Sequence, residues 1–142
     1  MNAIFYGSDD WKDEQAIWLI LWGLYEIVDN RDDILTIIHG GDVDEELYRG
    51  VSFLAEKCVK KLNYLTNKQL RADCIHTVEF PLSPGSLGGS AEYIRNQTMI
   101  NEGKPDIVFV FSESSDPNPV ALNMLELCRE YKIPSYLIKR YS

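Results

Sequence analysis

Ile107-Val108-Phe109-Val110-Phe111, bracketed by Asp106 and Ser112, is the stretch that decides the fold. It is the cleanest buried strand in the chain: five apolar residues, β-branched or aromatic, between two polar ends. Downstream, Asn118 or Pro119 opens a helix to about Tyr131, with Pro119 suited to its first turn, and Ser135 to Lys139 forms a last strand. Upstream, Ala91 to Asn101 reads as helix and Cys74 to Phe80 as a weaker, alternating strand. Before these, Glu45 to about Leu65 is helical, with Leu47, Val51, Leu54, Cys58 and Leu62 at three- and four-residue spacing. Ile34 to Ile38 is a β-branched strand, Asp13 to Val28 a helix, and Ala3 to Tyr6 the first strand. Strand and helix alternate throughout. That pattern predicts an α/β fold, a Rossmann-like three-layer α/β/α with a five-stranded parallel sheet. Right-handed crossovers make it doubly wound.

The chain has 142 residues, 45% apolar and 25% charged, which fits one globular domain over residues 1–142. Its net charge of −8 argues against a nucleic-acid groove or an anionic membrane patch, since both need clustered cations. A small nucleotide remains compatible, because backbone amides can hold it. Cys58, Cys74 and Cys128 are odd in number and lack CxxC spacing. They read as small core residues in a reducing, cytoplasmic setting, with no disulfide framework, metal site or cofactor expected. The apolar run Ala16 to Trp22 is too short to span a bilayer.

In doubly wound sheets ligands bind beyond the carboxyl ends of the strands, where the winding reverses. The loops that matter therefore start at Gly7, His39, Pro81 and Ser112. Gly7-Ser8-Asp9-Asp10-Trp11 offers close backbone approach at Gly7 and Ser8. Its Asp9 and Asp10 read as helix caps or ligand contacts, and Trp11 as a base-stacking surface or as packing. His39-Gly40-Gly41-Asp42 reads as a phosphate or ribose loop or as a plain tight turn. Asp42, Asp44, Glu45 and Glu46 crowd a helix start that favours acids and limit the phosphate it would tolerate. Pro81-Leu82-Ser83-Pro84-Gly85-Ser86-Leu87-Gly88-Gly89-Ser90 is the longest turn-forming stretch. Arg95 and Asn96 are candidates to meet phosphate or ribose, Arg95 by a bidentate pair. Ser112 begins a polar, twice-kinked loop without glycine.

The first helix carries one apolar stripe at Ile17, Leu21, Leu24 and Val28, and a second at Trp18, Trp22 and Tyr25. One stripe covers the sheet; the second predicts a homo-oligomer interface.

Five segments in register resemble the SLOG superfamily, best its YspA/YpsA-like branch. Gly7 to Trp11 is similar to "GSRDW", His39-Gly40-Gly41 to "HGG", and Ile94-Arg95-Asn96-Gln97-Thr98-Met99 to "IRNxxM". Lys104 to Phe111 is similar to "KPDLVxxF", and Leu125 to Pro134 to the closing helix and "IP" turn. The resemblance covers almost the whole chain and implies a parallel five-stranded sheet with a nucleotide-derived ligand. In the related LOG enzymes an arginine on the third helix and a glutamate after a "GT" element cleave an N-glycosidic bond. Arg95 matches the arginine, Val120-Ala121 replaces "GT", and Met124 falls where the glutamate would be. Asp9 stands in place of the "GSRDW" arginine, and Asp42-Val43-Asp44-Glu45 in place of a glycine-rich stretch.

The expectation is a binding module with no catalytic residue. It would hold an ADP-ribose-like or cyclic-nucleotide signal as a stand-alone sensor or sequestering sponge. The alternative is a nucleotide N-glycoside or phosphoester hydrolase using Arg95 and a carboxylate among Asp9, Asp42, Glu113 and Asp116.

Overall fold

A computed structural model describes residues 1–7, 10–41, 49–68, 71–82, 90–114 and 116–140. Its elements are β1 (Asn2–Gly7), α1 (Glu14–Asn30), β2 (Thr36–His39), α2 (Val51–Leu65), β3 (His76–Glu79), α3 (Ser90–Gly103), β4 (Ile107–Ser112), α4 (Pro119–Glu130) and β5 (Ser135–Lys139). The sheet runs β3-β2-β1-β4-β5 and every pairing is parallel. This is the expected Rossmann-like, doubly wound architecture.

The inner strands β1 and β4 each bury four consecutive residues. Side chains alternate between the two faces of the sheet. Ala3, Phe5, Ile37, Phe109 and Phe111 pack with α1 and α2, and Phe5 sits edge-on to Phe109 at 5.7 Å. Ile4, Tyr6, Ile38, Val108 and Val110 pack with α3 and α4. Two cores, one on each face, make the three layers.

Local chemistry sets the boundaries. Asp13, not a residue of the preceding loop, caps α1 by accepting from the Ala16 amide at 3.2 Å. Asn118 caps α4 through the Ala121 amide at 2.8 Å, and Pro119 opens that helix as expected. β2 begins two residues later than the sequence predicts. Ile34 is exposed, and its amide is taken by the Asp33 carboxylate at 2.8 Å. His39 thereby becomes the last strand residue. β3 is shorter than predicted, mostly exposed and at the sheet edge. α2 is described from Val51, so its predicted start at Glu45 lies outside the described residues. Cys58 and Cys128 are buried and Cys74 half-buried, all three as free thiols. Among the described residues no helix is long and apolar enough to cross a membrane.

Candidate functional site

β1 and β4 are neighbours, and the winding reverses between them. Their carboxyl ends meet at Gly7 and Phe111, and a cleft of about 150 Å³ opens there. That is room for about one ring or sugar. Tyr6 and Gly7 line it from β1, Glu92 and Arg95 from α3, and Phe111 and Ser112 from β4. Asp10, Glu113 and Asp116 come from the loops, and Val120 and Ala121 from the start of α4.

Arg95 ties two of the predicted segments together. It is 6% exposed and its Nη1 donates to the Gly40 carbonyl at 3.2 Å. The "HGG" and "IRN" segments thus meet through one guanidinium, though of the two only Arg95 lines the cleft. Tyr6, a residue the sequence reading passed over, lies against it. Burial pushes the Tyr6 phenol up to about 12; the Arg95 charge and hydrogen bonding to Asn96 and Arg95 pull it down, and Glu92 raises it. It stands next to the end of β1 on the face opposite Phe5, and no motif in the sequence marks it.

The cleft is acidic. Asp10, Glu92, Glu113 and Asp116 line it together with one arginine, Arg95. Glu113 accepts from the Lys12 amide at 3.1 Å and approaches Arg140 at 3.5 Å. Ser112 Oγ donates to the Ser114 carbonyl at 2.8 Å, which folds the loop back on itself. The N-terminus of α4 faces the cleft but offers few donors: Pro119 has no N–H and Asn118 already caps Ala121. Its dipole, rather than a full set of amides, is what it presents.

Other predicted residues stand elsewhere. Trp11 is 1% exposed, rests edge-on against Phe111 at 5.2 Å and donates Nε1–H to the Asp13 carbonyl at 2.9 Å. It is core packing, not a stacking platform. Asn96 is fully buried and does not line the cleft. Its Nδ2 donates to the Val120 carbonyl at 3.0 Å and to Asn123 Oδ1 at 3.1 Å, fastening α3 to α4. His39 is buried, with Nε2 2.7 Å from Glu56 Oε1 and Nδ1 accepting from the Gly41 amide at 3.1 Å. Both ring nitrogens are satisfied, one by Glu56 of α2 and one by the Gly41 amide of its own turn, so His39 shapes the turn rather than the cleft.

Gly41 has φ +78°, and a Cβ there would collide with the Glu79 carboxylate. Gly7 lines the cleft, yet a Cβ on it would press on Val51 and come within 2.9 Å of the Phe111 carbonyl oxygen. Packing alone therefore demands glycine at Gly7. Met124, where the LOG-type glutamate would fall, is fully buried in the core under α4. Ser8, Asp9, Asp42 and most of the loop after Pro81 lie outside the described residues. Among the described residues no cluster of His, Cys, Asp and Glu is arranged to hold a metal ion.

No protein-family model matches this chain, and no curated protein does. Among solved structures it is similar to a universal stress protein from Archaeoglobus fulgidus. That likeness has 14% identity, spans 98% of this chain and 93% of that one, and has a TM-score of 0.43. The fold assignment stands on this chain's own strand order.

Proposed function

We propose that the chain is a SLOG-like binding module, a sensor or sequestering sponge that holds a nucleotide-derived small molecule in the β1–β4 cleft. The observation that carries this reading is Arg95: a buried guanidinium beside Gly40 at the point where the winding reverses. Clefts at that point are where doubly wound sheets take ligands. Arg95 and the α4 dipole would face a phosphate. The surrounding carboxylates would accept ribose hydroxyls. Even with Glu113 paired to Arg140, the acidic lining beside Arg95 disfavours a phosphate-rich ligand. With room for one ring or sugar, the cleft would enclose part of a cyclic mononucleotide and a still smaller share of an ADP-ribose-like molecule, so the smaller ligand suits it better.

One observation favours a second reading. Glu92, Glu113, Asp116 and Asp10 share the cleft with Arg95, so carboxylates are at hand for hydrolysis even though Met124, where the LOG-type glutamate would fall, is buried in the core. Calorimetric titration with cyclic mononucleotides and ADP-ribose, followed by chromatography of the recovered ligand, separates the two. The binding reading expects unchanged ligand and at least tenfold weaker binding in Arg95→Met. A released base or opened phosphoester would overturn it in favour of the hydrolase.

A further inference from the structure

The buried stripe of α1 is Ile17, Leu21, Leu24 and Val28, as the sequence predicts. The aromatic flank is partly covered within the chain: Lys61 Nζ lies 4.8 Å from the Trp18 ring and Lys68 Nζ 5.1 Å from the Tyr25 ring. What stays uncovered is another line. Leu19 is 60% exposed, Trp22 39% and Ile27 42%. From Ala16 to Tyr25 the helix carries no charged side chain, and a stretch apolar all round is normally enclosed all round.

Gly23 lies midway between Leu19 and Ile27. A Cβ at Gly23 would meet nothing within 4 Å, so packing among the described residues gives no reason for glycine. In mid-helix it costs about 1 kcal/mol relative to alanine. Its physical use is to let a second backbone come close. Leu19, Gly23 and Ile27 form an i±4 ridge, the ridge that interdigitates with its own kind. A two-fold axis at Gly23 would set Leu19 of one copy against Ile27 of the other. Glu26 would then fall beside Ile20 rather than beside an acid, which matters in a chain of net charge −8. The helices would run antiparallel, with their dipoles opposed favourably. Trp22 flanks the ridge as an aromatic anchor, its Nε1 donating to Glu26 Oε1 at 2.8 Å.

We propose that this face binds a second copy of the chain, α1 against α1, in a two-fold dimer centred on Gly23 rather than on Trp18 and Tyr25. Sedimentation across a concentration series tests the state, and Gly23→Glu and Gly23→Cys test the geometry. The wild type should associate to a dimer. Gly23→Glu should raise its dissociation constant at least about 100-fold, because two like charges meet at the axis. Circular dichroism should stay native, and the variant should melt no lower than wild type at concentrations where the wild type is monomeric, since the site is open in the monomer. Under mild oxidation Gly23→Cys should crosslink to itself. Leu19→Cys should crosslink only when mixed with Ile27→Cys. A wild type that stays monomeric at its solubility limit, or a dimer untouched by a well-folded Gly23→Glu, would overturn the proposal.

Discussion

Replacing Asn63 with leucine should unhook the edge strand β3 from α2. Asn63 clamps both backbone groups of Ile75: its Nδ2 donates to the carbonyl at 3.1 Å and its Oδ1 accepts from the amide at 2.9 Å. Asn63 is 8% exposed and Ile75 4%. β3 itself buries little, so this clamp rather than a hydrophobic face holds it in place. Leucine keeps the volume but strands two buried polar groups at about 1–3 kcal/mol each. Against about 1–2 kcal/mol of gained apolar burial, the net loss is about 3 kcal/mol. With a urea slope of about 2 kcal/mol per molar, the midpoint falls by about 1.5 M. Melting falls by about 10 °C. Asn63→Asp gives the second arm. It keeps the acceptor but sets a carboxylate against the Ile75 carbonyl, which raises its folded-state pKa above the unfolded value near 3.9. A raised carboxyl destabilises the fold at neutral pH and is relieved as pH falls toward that pKa, when the protonated group can donate. Urea melts at about pH 7 and about pH 5 read both arms. Wild-type midpoints in Asn63→Leu, or no recovery of Asn63→Asp relative to wild type at the lower pH, would refute the clamp.

Gly41→Ala should cost about 1–2 kcal/mol in a urea melt, from the left-handed backbone alone, and more if Glu79 has nowhere to move. Tyr6 ionises near 10 when unfolded but at about 12 in the fold. The fold should therefore lose about 2–3 kcal/mol as pH rises from 10 to 12, and Tyr6→Phe should remove that component. Burial pushes the Cys58 and Cys128 thiols to about 11. At pH 8 roughly one in a thousand of either is thiolate, so a thiol reagent should modify Cys74 first and reach all three only after unfolding.

The fold was legible because its signals are local. The run Ile107 to Phe111, the helical spacing of α1 and α2, and the Asn118–Pro119 cap each declare themselves within a few residues. Parallel pairing then follows from the alternation. β3 was the weak element for the same reason, since its anchor is Asn63, a residue of the preceding helix. The site was half legible. Gly7, Arg95 and Ser112 follow from the rule about strand ends, and all three line the cleft. Asn96 misled because one residue along a helix turns a side chain by about 100°, from the cleft toward α4. Trp11 read as stacking surface or as packing, and the structure takes the packing alternative: the path of residues 10–13 faces its ring to Phe111, a tertiary contact that residue type alone does not decide. Tyr6 and Glu92 were missed because only the placement of β1 beside α3 makes them neighbours.

On the proposed function, the β1–β4 cleft holds a nucleotide-derived molecule intact. Native mass spectrometry of the purified chain, followed by denaturation and identification of what is released, tests it most directly. The expected result is an unaltered nucleotide-derived molecule at one per chain, absent from Arg95→Met purified the same way. A hydrolysed base or sugar phosphate in its place, or a ligand retained in full by Arg95→Met, would contradict it.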